Sequence, residues 1–325
     1  MYNILFCSVG RRGTLLKNVK YSLQGQGFII ATDNSNTAPA LYYADKSYIV
    51  PKINDADYIF IILDICQKEN IKAITSLIDP EITVLAKHKN IFDSEGILLL
   101  TPSVETAELC FDKYAMYEYL SEHNINTAET YKSLEEFNIA FENKLIDFPV
   151  FIKPRRGSGS VGAKKISSMD ELKSCYDHPN DLIIQEFMDG LDIDADVYVD
   201  CGNKEVVSIF AKRKLETKIG GANKTISFKD NRLFDMVKNI NKKFEFCGPV
   251  DMDFFYKDGE YYLSEINPRF GGAYIHAYGS GVDFVPFIIN NLNNMENTPA
   301  IGNYPDNTVM MMYDDVVIRK KEELI

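Results

Sequence analysis

The chain has 325 residues, room for about two domains, and its 46% hydrophobic and 25% charged residues mark a globular protein rather than a disordered one. A net charge of −12 argues against a general nucleic-acid binder, and no stretch approaches the roughly 20 apolar residues of a membrane span. Six dispersed cysteines with no C-x-x-C pair, and four scattered histidines, read as reduced thiols in a cytoplasm and offer no zinc site.

Ile4 to Val9 is an apolar run with no basic segment before it, so it reads as a buried strand and not a signal peptide. Gly10-Arg11-Arg12-Gly13 closes that strand. Thr14–Leu23 predicts a helix, Phe28–Thr32 a strand ending at Asp33, and Tyr58–Glu69 a second helix. Ala73–Leu77 follows as a strand, Pro80–His88 as a helix and Ile97–Leu100 as a short strand. This βαβ rhythm implies a small parallel sheet with helices on both faces and ligand-facing loops at the carboxyl ends of its strands. One helix is expected over about 104–122, carrying Asp112-Lys113. A smaller unit of short strands and two helices covers roughly 125–188. Long antiparallel strands follow at Ile193–Cys201, Val206–Lys214, Thr225–Phe228, Pro249–Tyr256 and Tyr261–Glu265, with a helix over Asp230–Lys243 between them. The fold class is therefore α/β followed by α+β.

The densest chemistry lies near the end of that run. Asp258-Gly259 is a hairpin turn that brings Asp253 beside Glu265 and Asn267, and period-2 geometry puts the last two on one face. Three converging oxygen ligands suit Mg²⁺ that also carries nucleotide phosphates. Arg269 is placed to clamp a phosphate or carboxylate.

Upstream, Phe148–Pro154 is a strand delivering Lys153, followed by Arg155-Arg156-Gly157-Ser158-Gly159-Ser160-Val161-Gly162. The string Gly157-x-Gly159-x-x-Gly162 matches the dinucleotide fingerprint, yet no helix opens at its glycines. Ala163-Lys164-Lys165-Ile166 intervenes, and a capping box of Ser168 with Glu171 starts the next helix. The geometry is strand, glycine loop, strand: a flap whose amides can close over triphosphate.

Leu182–Phe187 is an apolar strand broken at Asp189-Gly190. Its end, Gln185-Glu186-Phe187-Met188, can present backbone groups and an apolar surface to adenine. Asp192, Asp194 and Asp196 share one strand face; Asp192 is the candidate ribose partner and the other two are expected to be solvated. Lys212 and Lys214 alternate with Arg213, and one of those faces looks into the nucleotide cleft. Arg11 and Arg12 can hold a carboxylate substrate, and Asp79 and Glu81 can orient an amine. Arg213, Gly271 and Gly272 complete the candidate substrate contacts.

Taken in order, Lys113, Lys153 with its flap, Gln185 to Met188, and Asp253…Glu265-x-Asn267-x-Arg269 resemble the ATP-grasp superfamily, closest in type to single-unit proteins like the carbamoyl-phosphate synthase large subunit. The resemblance implies a Rossmann-like pre-ATP-grasp domain at 1–103 and an ATP-grasp domain at 104–325. The latter would divide into a lid at about 125–188 and an antiparallel-sheet subdomain at about 189–325, enclosing ATP. It implies Lys113 and Lys153 on ATP phosphates, Arg156 to Gly162 as the flap, and Glu186 and Met188 on adenine. It also implies Asp192 on ribose, Asp253, Glu265 and Asn267 on Mg²⁺ (or Mn²⁺ in its place), and Arg269 on the reacting phosphoryl or acyl group. The implied function is a cytoplasmic, ATP-dependent ligase joining a small carboxylate to an amine or ammonia through an acyl phosphate, commonly as a homodimer.

Carbamoyl-phosphate synthase itself uses two fused grasp units and an ammonia source, whereas this sequence shows one unit. Two alternatives follow: a half-unit that phosphorylates bicarbonate or carbamate, and a nucleotide-binding subunit without chemistry. A nicotinamide dehydrogenase is excluded, because Gly10-x-x-Gly13 is too short for its glycine pattern.

Overall fold

The computed structural model describes residues 1–157, 162–176, 181–218 and 221–325. Its first unit runs β1 (Asn3–Cys7), α1 (Gly13–Leu23), β2 (Ile29–Asp33), β3 (Lys46–Ile49), α2 (Tyr58–Lys68), β4 (Ile71–Ser76), α3 (Asp79–Lys87), α4 (Lys89–Ser94) and β5 (Leu98–Leu99). The five strands form a parallel sheet in the order β3-β2-β1-β4-β5. Strand alternation sorts the apolar residues to two faces. Leu5, Cys7, Ile30 and Ile74 pack on Tyr58, Ile62 and Ile65 of α2 and on Phe92. Ile4, Phe6, Ile29 and Ala31 pack on Leu16 and Val19 of α1, and that core runs on into the antiparallel sheet described below.

The single helix expected over about 104–122 is two: α5 (Val104–Phe111) and α6 (Lys113–Glu122). Asp112 breaks it. Its backbone is extended and its carboxylate accepts from the Ala115 amide, which makes it the N-cap of α6. Periodicity cannot signal this break, because the apolar positions continue across it.

The next unit contains β6 (Thr130–Tyr131), α7 (Leu134–Glu142), β7 (Val150–Pro154), β8 (Lys164–Ile166), α8 (Met169–Tyr176) and β9 (Leu182–Glu186). Its antiparallel sheet, ordered β6-β9-β7-β8, packs Val150, Ile152 and Ile184 against Phe137 of α7 and Leu172 of α8. This core is separate from the main one.

The remaining elements are β10 (Leu191–Val199), β11 (Val206–Lys218), β12 (Gly221–Ser227), α9 (Asn231–Asn241), β13 (Gly248–Lys257), β14 (Glu260–Asn267), α10 (Tyr274–Gly279), α11 (Val285–Leu292) and β15 (Val309–Met311). Six strands form the antiparallel sheet β14-β13-β10-β11-β12-β15. Asp258 and Gly259 both take positive φ, as a two-residue hairpin with right-handed strand twist requires. The expectation of six reduced thiols fails at Cys201 and Cys247, which are joined as a disulfide. They are 46 residues apart in sequence, and only the packing of the β10–β11 turn against the start of β13 brings them together. No helix among the described residues is long and apolar enough to cross a membrane.

Candidate active site

The β13–β14 ladder pairs Asp253 with Glu265 and Asp251 with Asn267. Beyond Asp253 the register shifts, so that Phe254 opposes Leu263 and Ser264 is the extra residue of a bulge. Strict alternation would put Glu265 on the same face as Leu263, which is fully buried. The bulge turns Glu265 to the Asp253 side instead. The Asn267 amide approaches Asp253 at 3.4 Å and Asp251 at 3.5 Å.

Two lysines neutralise this oxygen cluster. Lys214 Nζ lies 2.5 Å from Asp253 and 3.4 Å from Asp192. Lys113, the first residue of α6, is 3.6 Å from Glu265 and donates to the Gly157 carbonyl at 2.5 Å. Burial raises the Glu265 carboxyl above its ordinary range, with Lys113 working the other way. Lys153 donates to Gln185 Oε1 at 2.7 Å, and the Gln185 amide donates on to Thr130. Burial, with Lys113 nearby, pushes Lys153 down to about 8 against the pull of Glu265. The carboxylates of Asp253 and Glu265 offer oxygen donors of the kind that suits a hard divalent cation, while Asn267 turns its amide nitrogen toward Asp251 and Asp253.

The remaining candidates from the sequence take the following places. Arg156 does not face this centre: it donates to Asp112 at 2.9 Å, beside Arg155 at 2.7 Å, and Asp112 also bridges Arg156 through the backbone. These contacts hold the base of the glycine hairpin against the head of α6. Gly157 and Gly162 flank the loop at positive φ, while Ser158, Gly159, Ser160 and Val161 lie outside the described residues. Glu186 pairs with Lys257 at 3.1 Å, Phe187 stacks on Phe151 under the Lys165 ammonium, and Met188 is buried.

Asp194 and Asp196 are not solvated but buried, with Lys212 between them, 3.0 Å from Asp194 and in contact with Asp196. Oxygens of Asp194, Asp196 and Asp251 lie within 4.8 Å of one another, so a lysine ammonium occupies what composition alone would offer a metal. Burial opposes the charge on Lys212, but the surrounding carboxylates outweigh it and hold its pKa above the ordinary value. Burial likewise raises Asp196, to about 6.

Arg213 alternates away from Lys212 and Lys214, opposite Ile193 and Ile226, and so does not reach the cluster. Glu81 cannot orient an amine: it is fully buried in the first unit, accepting from Tyr58 and Ser76, and burial pushes it up to about 8. Asp79 is taken by Arg269, with 2.8 Å from Oδ1 to Nε and 3.2 Å from Oδ2 to Nη2. Arg12 donates to the carbonyls of Gly271 and Phe270, whereas Arg11 is exposed and lies 3.7 Å from Asp314. Gly272 lies 3.9 Å from Arg12 by its would-be Cβ, with space to spare.

Sequence reasoning missed Asp112 and Asp251, although each left a trace. Asp112 directly precedes a candidate phosphate lysine, and Asp251 stands two residues before Asp253 on the same strand face.

A small parallel-sheet unit, a separately cored antiparallel unit and a broad antiparallel sheet carrying a carboxylate–lysine centre define the architecture. The family models agree. Residues 4–100 match a "PylC-like, N-terminal domain" and residues 110–273 an "ATP-grasp domain", about half of the chain. The chain belongs to the ATP-grasp family. It is 27% identical to a carbamoyl-phosphate synthase of Methanobrevibacter smithii over 88% of this chain and 79% of that protein. It is also 27% identical to a D-alanine–D-alanine ligase of Helicobacter pylori, over 63% of each. Among solved structures, the biotin carboxylase domain of the Hydrogenobacter thermophilus 2-oxoglutarate carboxylase, in complex with MgADP, ADP and bicarbonate, matches the fold. That match has a TM-score of 0.72 at 19% identity, over 95% of this chain and 73% of that one.

Proposed function

We propose that the protein is an ATP- and Mg²⁺-dependent ligase that joins a carboxylate to an amine or ammonia through an acyl phosphate. The observation that carries this reading is the convergence of Asp253, Glu265 and Asn267 with Lys113, Lys153 and Lys214 at one sheet end, next to the buried Arg269. Lys113 and Lys153 hold the nucleotide phosphates, Glu186 to Met188 the adenine, and Asp192 the ribose. Asp253, Glu265 and Asn267 would hold Mg²⁺, or Mn²⁺ in its place. When bound, that ion supplies charge to the triphosphate that the lysines alone leave incomplete.

The chain's own residues then divide the work. The lysines spread the developing charge as the substrate carboxylate attacks the γ-phosphorus, and Arg269 faces the oxygens that gain charge. The hairpin between β7 and β8 closes over the phosphates and keeps water from the acyl phosphate until the amine arrives. Most of the rate comes from fixed geometry and fixed charge.

The test is amine-dependent release of ADP and phosphate across a panel of carboxylic acids. A folded, ATP-binding protein that turns over none of them would sink the proposal and leave a binding subunit. Similarity to the methanogen synthase favours one further reading, a half-unit that phosphorylates bicarbonate or carbamate. Bicarbonate-dependent ATP hydrolysis with no need of another acid would single it out. A cytoplasmic homodimer belongs to the same proposal, checked by fractionation and by light scattering.

A further inference from the structure

We propose that the N-terminal α/β unit clamps the Arg269–Gly271 segment from two sides, with Asp79 as the positioning residue for the Arg269 guanidinium and Arg12 for the backbone beside it. The proposal rests on the reading that Arg269 faces the reacting phosphoryl group.

Asp79 stands in the first turn of α3, beyond the carboxyl end of β4, and is 190 residues from Arg269 in the chain. Both residues are 9% exposed. Asp79 Oδ2 accepts from Nη2 at 3.2 Å, and Oδ1 lies 2.8 Å from Nε as an ion pair without hydrogen-bond alignment, which ties the guanidinium to the first unit. Nη1 donates to the Phe270 carbonyl at 3.1 Å and lies 3.6 Å from Asp251. These contacts hold the guanidinium in place before any ligand arrives. A lone arginine at a sheet end would instead have to give up its rotamer freedom during the reaction.

Arg12 is the second hand. From the loop after β1 its Nη1 donates to Gly271 O at 2.9 Å and reaches Phe270 O at 3.4 Å. On the other side Gly271 lies on the buried carboxylates: a Cβ there would fall 2.5 Å from Asp196 Oδ1 and 2.8 Å from Asp251 Oδ1. The segment is therefore held between the buried acids of the antiparallel sheet and the arms of the parallel one. This gives the first unit a task in catalysis although it supplies none of the proposed metal or phosphate contacts.

The test runs the first chemical step backwards, which needs no knowledge of the natural acid. Carbamoyl phosphate passes its phosphoryl group to an oxygen of the ADP β-phosphate; its bond to the carbamate oxygen breaks, carbamate leaves, and ATP is read by luciferase. Asp79→Asn is expected to lower kcat about 10- to 100-fold with KM for MgADP changed by less than about threefold. Combined with Arg269→Lys it should lower kcat no further than Arg269→Lys alone. Unchanged kcat, or multiplying losses in the double variant, would overturn the clamp. If the wild type transfers nothing, the ligase reading is left to the panel of carboxylic acids, and the clamp is decided by the Arg269 Nη–H resonances, identified by their loss in Arg269→Lys. Strong protection from solvent exchange in the wild type that disappears in Asp79→Ala supports it. Equal protection in the two proteins, high or low, refutes it.

Discussion

Replacing Lys212 by methionine keeps the volume of the side chain and removes its charge from among Asp194, Asp196 and Asp251. All four residues are buried, Lys212 completely. Removing one partner of a buried ion pair costs about 3–5 kcal/mol, because the remaining charge stays in a poor solvent without compensation. The sign of the pH dependence follows from the pKa directions. In the wild type Asp194 is held below its ordinary value: burial raises it, but Lys212 and Lys214 prevail. Its contribution is thus present above pH ~4 and lost only in stronger acid. Without Lys212, burial acts with less opposition and the folded-state pKa of the cluster rises. A raised carboxyl contributes stability that is full below its unfolded pKa and lost as pH climbs through the folded value. Each carboxylate so affected adds about 1.4 kcal/mol per pH unit across that window. Urea unfolding followed by circular dichroism should therefore show a deficit of about 3–5 kcal/mol at pH 8 and about half of that or less at pH 5. Adding Asp194→Asn should recover part of the loss at pH 8. A deficit equal at both pH values, or below about 1 kcal/mol at pH 8, would refute the account of Lys212 as the counter-charge of this cluster.

The other predictions concern the nucleotide centre. Lys153→Ala and Glu265→Ala should each reduce substrate-dependent ADP release by at least about 100-fold, the scale seen when a preorganised charge is removed from an active site; turnover within threefold of wild type would disprove the assignment. Lys153, held down to about 8 in the free protein, should take up a proton when phosphates bind beside it. Calorimetry of MgADP binding in buffers of differing ionisation enthalpy should find little uptake at pH 7 and about half a proton or more at pH 8 and above; the same uptake at both would count against a phosphate contact. Asp112→Ala removes a helix cap of about 1 kcal/mol and a buried acceptor for Arg155, together about 2–3 kcal/mol. Hydrogen exchange should speed up in 113–122 and in the hairpin base at 150–157, with a raised KM for ATP. Unchanged exchange there would show that Asp112 does not join the two.

The two apolar faces of the first sheet and the Asp258-Gly259 turn were readable because each is local, whereas the ordered set Lys113, Lys153, Asp253, Glu265 and Asn267 was readable through its resemblance to the ATP-grasp pattern. The faces and the turn depend on period-2 or period-3.6 alternation, or on a turn that demands positive φ. For the same reason the single-residue events were silent. Asp112 ends one helix and caps the next without disturbing the apolar pattern, and the bulge at Ser264 changes the face of Glu265 while its neighbours stay apolar.

The chain order by itself indicated the βαβ alternation of the first unit and the long antiparallel strands of the last, and that acids, an amide and lysines recur at positions able to meet. Only the folded structure decided which of them do. Lys212 is drawn into a buried acid cluster and Arg213 is turned away by the pleat; Arg156 goes to Asp112 and Asp79 to Arg269. A buried charge must find its partner wherever burial occurs, often across hundreds of residues, and sequence separation carries no record of that choice.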